Sequence, residues 1–102
     1  CTAELEYDRL GYELMCFFQT RLHDHAENEI ERFESTVTAF PEVLECYYLT
    51  GEWDYLIKAV FRSRRDLERF LRNRLSTVPG ISQIITSLVL SELKTDRSLP
   101  LL

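Results

Sequence analysis

A chain of 102 residues has room for one domain, which can bury roughly two-thirds of its unfolded surface around a single core. With 45% hydrophobic and 28% charged residues, three Gly, three Pro and no biased tract, the composition excludes disorder and fibrous repeats. Seventeen acidic against twelve basic side chains leave a net charge of -5, the wrong sign for neutralising nucleic-acid phosphates, and the uncharged stretch 81–91 is too short and too polar to span a bilayer. The expectation is a cytoplasmic domain that holds neither DNA nor a membrane by itself.

From Leu10 to Leu22 apolar residues alternate, Tyr12, Leu14, Cys16 and Phe18 on one side, Met15 and Phe17 on the other. That pattern predicts a strand whose two faces are both apolar at its centre. Asp24 followed by Glu27 has the form of a capping box, and Ile30, Phe33, Val37 and Phe40 recur at helical spacing until Pro41, predicting a helix over 25–40. Val43 to Thr50 and Glu52 to Arg62 are β-branched and aromatic runs parted at Gly51, the mark of a tight hairpin. Ser63 and Asp66 repeat the capping pattern ahead of Leu67, Phe70, Leu71, Leu75 and Val78, a second helical stripe that stops at Pro79-Gly80. Ile81 to Leu93 supplies a fourth strand.

The order βαββαβ predicts an α+β, ferredoxin-like split βαβ fold, an antiparallel sheet with two helices on one face. Cys1, Cys16 and Cys46 are odd in number and lack C-x-x-C spacing, so they read as reduced structural thiols. Cys1 to Leu5 already alternates like a strand, and the expectation is that residues 1–9 form a linker strand from a preceding domain, with 10–102 the folded unit.

Two helices cover one sheet face, yet in every strand both alternating sets carry large apolar side chains. The tail from Ser98 to Leu102 is too short to cover the other face, so a sheet-on-sheet homodimer is expected. Met15, Phe17, Trp53, Tyr55, Ile57 and Leu88 are its expected interface.

The segments PEVLECYYLTGEWDYLIKAV, LERFLRNRLSTVPGI, TSLVLSELKT and SLPL, preceded by LGYELMCFFQTRL, resemble in order and spacing the regulatory (RAM) domain of Lrp/AsnC, or feast/famine, transcription regulators. The resemblance runs from Leu5 to Leu101. It implies a domain that dimerises through its sheets, assembles further into octamers in many relatives, and responds to an amino acid or similar metabolite. It also implies that DNA is contacted only through a helix-turn-helix domain absent from these residues. Two alternatives stay open: a stand-alone module that pairs with full-length relatives, and a tetrapyrrole-binding enzyme of the dimeric α/β-barrel type.

For an effector, the expected contacts are Thr50, Gly51, Glu52, Trp53 and Asp54 of the hairpin, with the hydroxyls of Thr86 and Ser87. Gly lets a ligand approach backbone N–H groups, and carboxylates pair with an ammonium. The plainer readings are a turn glycine, an interface Trp53, an Asp54 that ties its own loop, and cross-strand pairing for the hydroxyls. His23 and His25 read as solvated loop residues rather than metal ligands, and no cofactor is expected. Arg62, Arg64, Arg65, Arg69, Arg72 and Arg74, interleaved with Asp66 and Glu68, read as a solvated or subunit-contact surface in preference to a phosphate site.

Overall fold

The computed structural model describes residues 10–101. In chain order the elements are β1 (Leu14–Leu22), α1 (Glu27–Thr38), β2 (Val43–Tyr48), β3 (Tyr55–Phe61), α2 (Arg64–Asn73), a 3-10 turn at Leu75–Thr77 and β4 (Ile81–Leu88). The strands form one antiparallel sheet in the order β2-β3-β1-β4, the ferredoxin-like arrangement that the pattern predicts. The expected linker strand at 1–9 lies outside the described residues. Among the described residues no helix is long and apolar enough to cross a membrane.

The ends of the elements differ from expectation for local reasons. α1 has no capping box: Ala26 stands at its N-cap, and Asp24 instead accepts from the Ala26 N–H at 2.9 Å in a tight turn. Ser63 does cap α2, its Oγ accepting from Asp66 N at 3.2 Å. β3 begins at Tyr55 rather than Glu52, because the loop 49–54 closes on itself through Leu49 N to Asp54 O at 2.9 Å. β4 stops at Leu88 rather than Leu93; Val89 N still donates to Met15 O at 2.9 Å, but β1 starts at Leu14 and offers no further partner.

Cross-strand pairs point to the same side of a sheet, so the register sorts the faces. Phe18 lies opposite Ile57, Cys16 opposite Ala59 and Thr20 opposite Tyr55, and all six are buried beneath Phe33 and Val37 of α1 and Phe70 of α2. Phe70 is the hub, its ring centroid 5.8 Å from Phe18, 5.2 Å from Phe61 and 5.3 Å from Phe40. Tyr55 and Ile57, expected at a dimer interface, therefore belong to the core of this chain. Leu88 is also turned to the helix side, opposite Cys16, though 47% exposed at the edge strand. Trp53, grouped with Tyr55 and Ile57 in the expected interface, sits in the loop before the strand, and pairing with Thr20 is what decides where Tyr55 points.

The helix-free face carries Met15, Phe17, Gln19 and Arg21 of β1, Leu56, Lys58 and Val60 of β3, Glu45 and Tyr47 of β2, and Ile85 and Ser87 of β4. It is less uniformly apolar than expected, since Lys58 Nζ lies 3.6 Å from Glu45 Oε2 in its middle. Tyr47 donates to Glu45 at 3.0 Å, and Arg97 reaches the same carboxylate at 3.1 Å. Burial pushes the Glu45 carboxyl up, but the tyrosine hydroxyl and the two cations outweigh it and hold the group below the usual carboxylate range.

Arg97 brings the tail across part of this face, where residues 91–97 border a groove of about 610 Å³ with Met15, Phe17, Tyr47 and Lys58. The tail thus does cover one part of the sheet, starting well before Ser98. It leaves Tyr47 and Ile85 half exposed, and Leu90, Leu93, Leu99 and Leu101 turn outward almost fully.

Replacing Phe70 by Ala is expected to cost about 3–5 kcal/mol in a urea titration, because three rings lose their common partner. Thr20 is fully buried and its hydroxyl finds no hydrogen-bond partner among the described residues. Thr20→Val is therefore expected to raise the stability by about 1 kcal/mol in the same titration, the shape being kept while an unpaired polar group is removed.

Candidate effector site at the loop between the second and third strands

The loop 49–54 is positioned by the end of β1. Asp54 N donates to Thr20 O at 2.9 Å, and the Asp54 carboxylate accepts from Leu22 N at 2.8 Å while lying 3.0 Å from His25 Nε2. Arg21 holds the other side: its Nε donates to Glu52 O at 3.0 Å, Nη2 lies 3.0 Å from Glu52 Oε1, and Nη1 donates to Gln83 Oε1 at 2.9 Å. The guanidinium also lies over the Trp53 ring, 4.9 Å from its centroid, a cation–π contact.

Burial pushes the Asp54 carboxyl up, but the Leu22 N–H, His25 and Arg21 outweigh it and hold the group below the usual carboxylate range. With its side chain only 16% exposed, Asp54 is committed to the chain's own backbone. That is the plainer of the two expected roles, and it removes Asp54 from the groups facing outward. Glu52, 76% exposed, keeps a carboxylate at the surface.

Gly51 has φ of +103°, a conformation that side chains rarely adopt, while a Cβ built there would meet nothing within 4 Å. The turn itself requires the glycine, and the space around it opens to solvent. Thr50 and Gly51 are exposed beside Glu52, and Trp53 is half-buried.

The two hydroxyls do not act together. Thr86 lies opposite Phe18 and shares its helix-side parity, whereas Ser87 lies opposite Phe17 on the helix-free face with Arg21. Ser87 stands four strand positions from Gln83, about 13 Å at the usual rise per residue, so it is at some distance from the loop.

Arg21, Gln83 and His25 are the members that sequence reasoning missed. For Arg21 the signal was present, because residues 15, 17, 19 and 21 alternate onto one face. His25, taken as a solvated loop residue, is tied to Asp54 by a contact that closes only when α1 folds back. Chemically the assembly offers a guanidinium on an indole, one outward carboxylate and exposed glycine backbone, groups that suit a small zwitterion. Burial pushes up the thiols of Cys16 and Cys46, Glu34 adding to the shift at Cys46, which keeps both protonated.

Because the folded Asp54 titrates below its unfolded value, its contribution to stability is fully present above about pH 5 and is lost as the pH falls through the folded value, below about 3.9. Asp54→Asn should therefore lower the urea midpoint at pH 7, approach the parent chain only as the pH falls through the lowered folded value of Asp54, and flatten the acid limb between them. Asp54→Ala should cost about 1–3 kcal/mol at neutral pH, since Leu22 N loses its charged acceptor.

The sequence model of the Lrp/AsnC ligand binding domain matches residues 15–99. The DNA-binding transcriptional activator DecR of Escherichia coli is 29% identical over 99 residues, 97% of this chain and 65% of that protein. The transcriptional regulator AzlB of Bacillus subtilis is 32% identical over 100 residues, 98% of this chain and 64% of that one. This chain thus spans just under two-thirds of the length of these two relatives. Among solved structures, a Neisseria meningitidis transcriptional regulator in complex with L-Met superposes with a TM-score of 0.85 at 33% identity, covering 92% of this chain and 60% of that one. The matching family is a ligand-binding domain found in transcriptional regulators, which favours the regulatory expectation over the tetrapyrrole alternative. With its βαββαβ fold and a family match running almost from end to end, the chain belongs to the Lrp/AsnC ligand-binding domain family.

Proposed function

We propose that this chain is the effector-sensing and assembly domain of a cytoplasmic Lrp/AsnC-type transcriptional regulator, which pairs with a second copy through its helix-free sheet face and binds an amino acid beside the loop 49–54. The observation that carries the pairing is the set Met15, Phe17, Leu56 and Ile85, which alternate away from the core on a face that neither helix covers. An apolar face of that extent is rarely left to water. Trp53 flanks it under Arg21, while Tyr55, Ile57 and Leu88 take no part.

The L-Met complex of the Neisseria relative supports an amino-acid effector. In this reading the Arg21 guanidinium and the backbone at Gly51 take the α-carboxylate, Glu52 takes the α-ammonium, and Thr50 and Trp53 form walls, while Thr86 and Ser87 stand too far along the fourth strand to take part. Asp54 acts by holding the loop. An effector with different affinities for two assembly states shifts their populations, and so the geometry of DNA-binding domains carried by longer relatives. DNA contact in this reading belongs to such a preceding domain.

Light scattering coupled to size exclusion should give a dimer at micromolar concentration. Phe17→Asp should give a monomer with unchanged circular dichroism, since Phe17 lies outside the core; a monomeric parent chain would sink the pairing. In a thermal-shift screen of free L-amino acids, the effector at about 100 times its dissociation constant should add roughly 2.7 kcal/mol of stability. Arg21→Ala should abolish that shift while leaving the dimer intact, and an undiminished shift would remove Arg21 from the site.

A further inference from the structure

At the end of the sheet remote from the loop 49–54, a cavity of about 390 Å³ opens between α2, the approach to β1 and the turn into β2. The register sets the separation: Phe61 pairs with Leu14 at this end and Tyr55 with Thr20 at the other, about 20 Å along β1 at the usual rise per residue. Its volume is that of a pocket for a small ligand. Of the arginines between Arg62 and Arg74, the cavity is lined by Arg62, Arg69 and Arg74, together with Glu42, Asp66 and Asn73.

These side chains are in two conditions. Arg62 is fixed by the chain itself: its guanidinium lies over the Tyr12 ring, 4.5 Å from the centroid, and its Nη1 donates to Leu10 O. Gly11 makes room for it, with φ of +83° and a position where a Cβ would come within 3.1 Å of Arg62 Nη1. Arg74 is held likewise, its Nη1 3.4 Å from Glu42 Oε1 and its guanidinium 6.0 Å from the Phe40 centroid. Both guanidiniums use Nη1 alone and keep their other donors. Asp66, Arg69 and Asn73, by contrast, share the flank of α2 that carries the buried Phe70, at i, i+3 and i+7. Among the described residues, none of these three side chains makes a hydrogen bond or an ion pair, although Asp66 is half-buried.

The geometry points to this cavity as a binding site for a small 2-hydroxy carboxylate, its carboxylate on Arg69 and Arg62, its hydroxyl donating to Asp66, and its carbon body over Val60 and Phe61. Three features select that chemistry. A carboxylate matches the planar fork of a guanidinium, and Arg62 is already oriented to receive one. Arg62, Arg69 and Arg74 against Glu42 and Asp66 leave the lining with a single positive charge, which a monoanion neutralises. A zwitterion leaves that charge unmatched, and a polyanion meets the two carboxylates. Asp66, an acceptor without a donor when ionised, calls for a donor on the ligand, which a hydroxyl supplies and a 2-oxo group does not. The site is independent of the effector reading at the loop 49–54, and the failure of either leaves the other standing.

The test is calorimetric titration of the chain with 2-hydroxyisovalerate, 2-oxoisovalerate and L-valine, which share one carbon skeleton, and with inorganic phosphate, each to about 10 mM. The hydroxy acid should bind saturably and at least about tenfold more tightly than the other three. Arg69→Ala should weaken it by at least about tenfold with circular dichroism unchanged, since Arg69 is exposed and packs against nothing in the core. Asp66→Asn should invert the order of the hydroxy and oxo acids, because an amide offers a donor where the carboxylate offers only acceptors; a merely structural role would weaken both alike. Amide resonances that move on adding the hydroxy acid should centre on residues 62–74, and Arg21→Ala should bind it as the parent chain does. No saturable binding of the hydroxy acid, a preference for phosphate or L-valine, or an Arg69→Ala variant that binds normally would each overturn the inference. So would an order left unchanged by Asp66→Asn, or shifts confined to the loop 49–54.

Discussion

Two helices of twelve and ten residues cover one face of a four-stranded sheet, and the face they cover is the one carrying Phe18, Ile57 and Ala59. Phe17 and Phe18 are neighbours in the chain with opposite surroundings, one on the helix-free face and the other sealed beneath Phe70. Everything assigned to this domain follows from that division. The sealed face supplies cohesion through a cluster of aromatic rings, and the other face presents what a small domain cannot shelter for itself.

The helix-free face is not simply greasy. Its centre holds Lys58 and Glu45, with Tyr47 and Arg97 completing the partners of the carboxylate. A charged pair buried at a contact contributes little net affinity once desolvation is counted, yet mismatching it is costly, so it acts on register more than on strength. The tail is drawn over the same face by Arg97, so the chain's own C-terminal segment meets the sheet at this carboxylate.

At the other end of the sheet, the loop 49–54 is held by a division of labour between two acids. Asp54 turns inward to Leu22 N and His25, and its neighbour Glu52 stays outward against Arg21. A loop so anchored is preorganised, and a ligand meeting it does not have to order it first. Gly51 contributes the positive φ that lets Leu49 and Asp54 close the turn.

Much of this was legible before any coordinates. Period-two alternation marked the strands, the 3.6-residue recurrence of Ile30, Phe33, Val37 and Phe40 marked α1, and Ser63 marked the start of α2, because these are local consequences of backbone geometry. The need for something to cover a second apolar face was legible for the same reason. What the chain alone did not decide was which of two apolar sets would face inward. Alternation has no absolute phase, and the expected interface included Tyr55 and Ile57, which the fold turns into the core. The phase came from the pairing of Thr20 with Tyr55, a contact between residues 35 positions apart in the chain. The grouping of Arg21, Gln83 and His25 around the loop, and the tail's hold on Glu45, likewise depend on strands and turns that meet only when the sheet closes. Local pattern determined the elements and their order; long-range pairing decided which side chains share a face, because only a neighbouring strand breaks the symmetry between the two sides of a pleat.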